Sequence, residues 1–421
     1  MERLRIAVVG AGIAGLGAAW LLSRRHDVVL YEANDRLGGH ARTVEAPGPH
    51  GPIPVDTGFI VFNHINYPHL TGLFRYLGVP TKKSDMSFSV TVDNGAVEYG
   101  CKTVNAVLAQ RANALRPAFW RMIRDIMVFN QTALSVAQRN PNMTIDGLIR
   151  HQRLGDWFTR YYLLPMSGAI WSTPREQMRS FPALALARFF ENHGLLSLNG
   201  QHQWWTVDGG SREYVSRMAA TMRAEVRLKA PVARVERSGG GVTVHAAGAP
   251  AERFDQVVFA CHSDQALRML ADAELPERRI LERVRYQPNH AVLHTDVSQM
   301  PKRRACWSSW VYHASSKAQE NAASVTYWMN TLQGIPEETP LFVTLNPTRP
   351  IPEDKILDEH ICHHPQFDLH ALAAQAELPS VQGRRGTWFC GAWTRNGFHE
   401  DGLASAVAVA ERLGAEVPWQ Q

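Results

Sequence analysis

An α/β fold centred on a parallel sheet is predicted by three features of the chain's first segment. The run Ile6-Ala7-Val8-Val9 is a short, wholly apolar strand, the kind that is buried on both faces of a parallel sheet. It leads directly into Gly10-Ala11-Gly12-Ile13-Ala14-Gly15 and an apolar helical stretch from Leu16 to Leu22. A second apolar strand, Val28-Val29-Leu30-Tyr31, then ends on Glu32. Strand, glycine turn, helix and strand with an acidic cap make a Rossmann-like βαβ unit that grips a dinucleotide.

Each element has a physical reason. Gly10 permits the tight turn, Gly12 lets the backbone approach a pyrophosphate, and Gly15 lets helix and strand pack closely. The unpaired N–H groups of the first helical turn, which contains Ala14, meet the phosphates. Glu32, with Ala33 beside it, accepts hydrogen bonds from the adenosine ribose. A carboxylate there repels a 2′-phosphate, which argues against NADP. A second glycine turn follows at Arg36-Leu37-Gly38-Gly39-His40.

With 421 residues and 45% hydrophobic content, the chain can bury a large core and is expected to hold two domains. No apolar run reaches the ~18 residues that span a bilayer, and the N terminus runs straight into a strand without a secretory signal. A soluble, cytoplasmic protein is therefore expected. Five scattered cysteines, Cys101, Cys261, Cys306, Cys362 and Cys390, form no C-x-x-C pair and read as reduced thiols. Cys362-His363-His364 has no second ligand cluster at zinc spacing, so no metal is expected. The net charge of +5 suits anionic lipid headgroups and is too diffuse for nucleic acid, for which no stacking or groove-reading motif is present.

The Gly10 fingerprint, Asp35-Arg36-Leu37-Gly38-Gly39, Phe389-Cys390-Gly391 and Gly397-Phe398-His399-Glu400-Asp401-Gly402-Leu403 resemble the flavin amine oxidase and phytoene desaturase superfamily over nearly the whole chain. Gly38-Gly39-His40-Ala41, Asn192-His193-Gly194-Leu195-Leu196 and Gly209-Gly210-Ser211 look like a bacterial subgroup associated with modified fatty acids. That subgroup includes desaturases of methyl-branched acyl chains in furan fatty acid synthesis, and it resembles the flavoprotein part of some plant cyclopropane fatty acid synthases.

The resemblance implies a discontinuous FAD domain of the glutathione reductase type, formed by residues 1–75, 205–265 and 385–421. The insertions 76–204 and 266–384 then form an α+β substrate domain. Local patterns agree: Val226 to Val235 and Gly241 to Ala246 alternate like strands, Phe254 to Ala260 reads as a buried strand, and Ser87 to Val92 and Ala291 to Asp296 suit a mixed sheet. Pro-rich stretches at Pro47 to Pro54 and Pro336 to Pro352 read as surface loops.

Carried over by motif, Arg36, Gly38, Gly39, Ala41 and Arg42 are expected along the pyrophosphate and isoalloxazine. Gly58, Phe59 and Ile60 are expected beside the ring, and Val232 at the adenine. Near the C terminus, Gly391, Asp401, Gly402 and Leu403 mark a helix whose positive end stabilises charge on reduced flavin. FAD is expected to be non-covalent, because the cysteine motif of covalent attachment is absent. Asn34 and His40 stand where amine oxidases often have arginine, and Ala392-Trp393 replaces an acidic residue.

Two further departures weaken amine chemistry. The family's Asn-Lys pair reads Asn289-His290, and His399 falls where an aromatic cage residue is usual. The expected reaction is desaturation of a methyl-branched fatty acyl chain of a phospholipid, with His290, His399 and His193 as candidate proton acceptors and Glu400 as a supporting carboxylate. Aromatic residues in the insertions, including Phe181 to Phe190, Trp204, Trp205 and Trp307 to Trp310, serve either a lipid pocket or an ordinary core. The alternatives are an amine oxidase for a small amine or polyamine, and a non-catalytic flavin-bearing partner of a lipid methyltransferase. From Cys101 to Arg124 there is no acidic residue, while Lys102, Arg111, Arg116, Arg121 and Arg124 are basic and Phe119, Met122, Ile126 and Phe129 recur at helical spacing. This reads either as an amphipathic helix on an anionic membrane, peripheral on its inner face, or as a helix packed on the domain.

Overall fold

The computed structural model describes residues 2–171, 173–196, 202–315 and 324–420. Its first sheet has five strands in the order Glu225–Arg227, Asp27–Tyr31, Arg5–Val9, Gln256–Phe259 and Thr387–Phe389, with every pairing parallel. The first strand is thus central, and its Ile6, Ala7 and Val8 are fully buried. Every residue of helix Ile13–Leu22 is buried as well, because helix His399–Arg412 packs along it. Gly17 permits that approach: a methyl built there would lie 2.7 Å from Leu403 Cδ1. The other face of the sheet is covered by an antiparallel sheet of Val232–Ser238, Gly241–Ala246 and Glu252–Phe254, which supplies Val235, Val242, Val244 and Phe254 to a core shared with Val257 and Phe259.

The second large sheet has seven strands: Ile356–Gln366, Arg285–His294, Phe342–Leu345, Ser324–Trp328, Trp310–Ala314, Phe88–Val92 and Val97–Gly100. It is mixed, since Trp310–Ala314 pairs in parallel with Phe88–Val92 and the other pairings are antiparallel. Helices Pro117–Arg139 and Ala183–Asn192 share its main apolar core. Strand Gly241–Ala246 forms as its alternation predicts, but the stretch Val226 to Val235 is divided between Glu225–Arg227 in the parallel sheet and Val232–Ser238 in the antiparallel one; in the seven-stranded sheet, segments far apart in sequence meet.

Three local expectations are corrected. The acid-free segment is not one helix: it contains a short helix Val104–Val107, a 3-10 turn Arg111–Leu115, and the start of helix Pro117–Arg139. Phe119, Met122 and Phe129 are fully buried, so the apolar stripe packs on the protein and cannot enter a bilayer. The stretch Pro336 to Pro352 contains strand Phe342–Leu345, and Pro54 lies in strand Ile53–Asp56. Pro54 lies in a two-stranded sheet, where each strand is an edge and tolerates proline, whereas Phe342–Leu345 is a proline-free interior strand bounded by Pro340 and Pro347. The last helix begins at His399, a turn before Gly402.

A buried polar chain crosses the seven-stranded sheet. His294 Nε2 and His313 Nε2 lie 2.8 Å from Thr344 and Thr326 Oγ1 respectively, and the two threonine hydroxyls lie 2.8 Å apart. Burial pushes His294 down to about 4 and His313 to about 3. Both stay neutral in the fold but protonate in the unfolded chain below pH ~6.5. Their contribution is therefore whole above that pH and is lost as pH falls toward the folded values, by about 1.4 kcal/mol per histidine per pH unit. Thermal unfolding of the holoprotein should show a clearly lower midpoint at pH 5 than at pH 7, and equal midpoints would refute this account.

Candidate active site

The cofactor end of the site grows out of the first glycine turn. Gly10 has φ +99° and donates its N–H to the Tyr31 carbonyl at 2.8 Å, which swings the chain from strand to helix. A methyl on Gly15 would lie 1.7 Å from the Gly10 carbonyl oxygen, so only glycine lets the helix start this close. Above Gly12 the space is open, with nothing within 4 Å of a built Cβ. Gly12 is the N-cap of a helix that has no side-chain cap and no acidic residue in its first turn. Free helical N–H groups therefore open onto the cavity, ready for an anion.

Glu32 is fixed for its task. One carboxylate oxygen accepts the Ala11 N–H at 2.8 Å, and the other accepts the Asn34 backbone and side-chain N–H groups at 2.9 and 2.7 Å. A cavity of about 1210 Å³ runs from Gly10, Gly12, Ala14, Glu32, Ala33 and Val232, past Gly39, Gly58, Phe59, Ile60 and Gly391, to His399. The remaining predicted contacts stand behind this wall. The Arg36 guanidinium donates to the Gly39 and Ala41 carbonyls at 2.9 and 3.3 Å, clamping the turn that holds Gly38. Arg42 is engaged by Asp358 at 2.5 and 2.9 Å, so it ties the glycine turn to the seven-stranded sheet. Asp401 accepts the Phe398 N–H at 2.9 Å, and Gly402 and Leu403 pack against the first helix. A buried carboxylate at the end of the second strand, an open glycine cradle with unpaired N–H groups and a long adjoining cleft are what FAD requires, and the residues fit it.

The other end of the cavity is apolar and aromatic. Met86, Phe88, Ile170, Trp171, Phe189 and Trp310 are among its walls. His399 stacks on Phe59 at 3.8 Å between ring centroids, and its Nε2 lies 3.0 Å from the Tyr214 hydroxyl. Tyr214 is placed by the Gly209-Gly210-Ser211 turn. Buried Asp56 accepts the Ser211 N–H at 2.9 Å and hydroxyl at 2.7 Å, which pins the start of helix Arg212–Thr221. His193 also lines the cavity, stacked on Phe189 at 3.8 Å with Nδ1 2.9 Å from that residue's carbonyl. Burial pushes His399 to about 3 and His193 to about 4, so both are neutral.

Two candidate residues are elsewhere. His290 is surface-exposed, with Nε2 3.0 Å from a Glu359 carboxylate oxygen, and is absent from the cavity wall. Its strand neighbour Asn289 points inward, since side chains alternate across a strand. Glu400 accepts the His69 and Leu70 N–H groups at 2.9 Å each. It caps helix Pro68–Leu77, and burial pushes it up to about 7. In place of His290, the cavity wall holds His40, His262 and His364. The His40 ring lies 6.5 Å from His262 and 5.5 Å from His364, and His262 stacks on Tyr286 at 4.1 Å. The high density of histidine between positions 360 and 364 is the one signal in the sequence that points to His364. Among the described residues, no cluster suited to a metal is present.

A family model described as flavin containing amine oxidoreductase matches residues 13–296. The chain is 25% identical over 350 residues to AofH of Mycobacterium tuberculosis, named as an inferred flavin-containing monoamine oxidase, covering 81% of this chain and 70% of the relative. It is 28% identical over 291 residues to a hydroxyneurosporene desaturase of Cereibacter sphaeroides, covering 61% and 55%. Among solved structures, a CLA-producing fatty acid isomerase from P. acnes superimposes with a TM-score of 0.68 at 14% identity, over 98% of this chain and 99% of that one. Wild-type putrescine oxidase bound to putrescine gives 0.69 at 15%, over the same shares. At these identities the structural matches establish a shared fold.

Proposed function

The chain belongs to the flavin-containing amine oxidoreductase family, and from that premise we propose that this FAD-dependent oxidoreductase desaturates a fatty acyl chain, methyl-branched and carried on phospholipid. The supporting observation is the charge of the cavity wall. Glu32 and Asp85 are the only carboxylates among its described lining residues. Glu32 sits at the ribose end, and Asp85 is paired with Lys102 at 2.5 Å. A cationic amine would find no free anion beside the aromatic walls, whereas an acyl chain gains about 0.8 kcal/mol for each buried CH₂.

When bound, FAD supplies a two-electron acceptor. The chain's own residues hold the substrate and move the proton. Trp171, Phe189, Trp310 and Met86 exclude water from the chain. Tyr214 orients His399, and burial keeps that imidazole neutral with a lone pair to take a proton from the carbon next to the one oxidised. His193 lies further along the same wall.

The lipid is proposed to arrive from an anionic membrane surface. Lys102 stands at the cavity wall, and the segment beyond it exposes Arg111, Arg121 and Arg124 together with Val104, Leu115 and Trp120. Among the described residues no helix is long and apolar enough to cross a membrane. A patch of this kind would act by surface contact, each basic residue contributing about 1 kcal/mol near anionic lipid.

Anaerobic flavin bleaching tests the reading. Vesicles of anionic phospholipid with methyl-branched chains should bleach the flavin, while small amines and putrescine should not. His399→Phe should retain flavin and slow bleaching by about 100-fold or more. Bleaching by amines alone would replace the proposal with amine oxidation, and bleaching by neither would make the protein a flavin-bearing partner of a lipid methyltransferase.

A further inference from the structure

At the junction of the seven-stranded sheet and the cofactor cleft, a relay of amides ends on one imidazole. It begins at a group whose polarity cannot be reversed: the backbone N–H of His290 donates to Asn346 Oδ1 at 2.9 Å. Asn346 must therefore turn its amide nitrogen to Asn289, and Nδ2 donates to Asn289 Oδ1 at 2.7 Å. Asn289 in turn directs its Nδ2 at His364 Nδ1, 2.9 Å away. A second anchor agrees, because the same Nδ2 donates to the Gln287 carbonyl at 3.2 Å, which can only accept. Asn289 is almost fully buried at 1% exposure, so no water competes for its amide.

A neutral imidazole that accepts at Nδ1 carries its proton on Nε2. His364 lines the cavity, and its Nε2 has no hydrogen-bond partner among the described residues. Its ring lies 5.5 Å from that of His40, the residue that follows the second glycine turn and whose carbonyl accepts the Phe59 N–H at 2.9 Å. The free N–H thus opens onto the part of the cleft bounded by the residues expected along the flavin. A donor that a bound flavin would cover needs an acceptor, and the isoalloxazine edge is rich in them. Burial, followed by the neighbouring imidazoles of His40 and His262, holds His364 down to about 3, in keeping with a neutral ring.

We infer that His364 is a fixed hydrogen-bond donor to the bound flavin, with Asn289 and Asn346 as positioning residues that lock its tautomer. The donor biases the relative affinity of the site for oxidised and reduced cofactor. The inference rests on FAD occupying the cleft and is independent of the substrate proposed above.

Asn289→Asp is the informative variant. Its carboxylate only accepts, so it draws the proton to Nδ1 and turns Nε2 from donor into lone pair. In ¹⁵N-histidine-labelled holoprotein, with the His364 signals identified by their loss in His364→Phe, the parent should carry its proton on Nε2 and Asn289→Asp on Nδ1. The same exchange should change the ratio of affinities for oxidised and reduced FAD by about tenfold, a midpoint shift of about 30 mV for a two-electron couple, with a displaced visible spectrum. His364→Phe removes the donor without adding a lone pair and should move the potential in the same direction by less. An unchanged potential and spectrum in both flavin-loaded variants would overturn the inference, as would a parent His364 protonated on Nδ1.

Discussion

Gly15→Val should yield protein without flavin, and added FAD should not restore it. The built Cβ at Gly15 lies 1.7 Å from the Gly10 carbonyl oxygen and 2.8 Å from its carbon. Both obstacles are backbone, so relief requires the strand and helix to part. That movement displaces the helical N–H groups that meet the pyrophosphate, and a loss of at least 100-fold in affinity, about 2.7 kcal/mol, is expected. Gly12→Ala separates binding from folding. Its methyl meets no protein atom within 4 Å but occupies the space over the cradle, so the apoprotein should melt as the parent does while flavin is lost. The ratio of visible to ultraviolet absorbance, with apoprotein melting curves, checks both; full flavin content in Gly12→Ala would show that the cradle holds no phosphate.

The largest loss of stability is expected from Arg237→Leu. The side chains of Arg237 and Glu277 are each 1% exposed and paired in two places, at 2.5 and 2.8 Å. Arg237 also holds Asp272 through its carboxylate at 3.0 Å and its carbonyl at 2.8 Å. Glu277 accepts the Glu274 N–H at 2.7 Å, closing the first turn of helix Leu275–Leu281. Removing the guanidinium leaves a buried carboxylate without a counter-charge, which costs about 3–5 kcal/mol. Replacing both partners by leucine should recover much of this, because the desolvation penalty of the pair goes with it. Denaturant and thermal unfolding of the single and double variants provide the measurement. A single variant within 1 kcal/mol of the parent would mean that water reaches Glu277.

The contrast between what sequence revealed and what it hid is physical. The glycine turn was legible because its geometry is local: Gly10, Gly15, Glu32 and the two flanking strands take their places from their own segment. Catalytic placement was not, because it depends on strand register across long separations. The pair Asn289-His290 marked the correct strand, yet side chains alternate with a period of two. Asn289 turns inward and His290 outward, and the imidazole that Asn289 meets on the cavity wall is His364 from the neighbouring strand. Glu400 illustrates a different failure. An acidic residue beside a glycine-rich helix start reads as chemistry, but here its partners are the N–H groups of a distant helix. The amphipathic reading of the segment before Arg124 captured the apolar stripe of the helix after Pro117 without its destination, since a stripe of Phe119, Met122 and Phe129 looks alike whether a membrane or the protein covers it.

The packing of helix Ile13–Leu22 against helix His399–Arg412 has a consequence for biogenesis. The ribosome produces the first glycine turn long before the helix that backs it, with the edge strand Thr387–Phe389 only shortly before that helix. A nascent chain therefore cannot assemble the cleft as it emerges, although domains generally fold during synthesis. Loading with flavin has to wait for helix His399–Arg412, and until then the apolar first helix must be sheltered by other means.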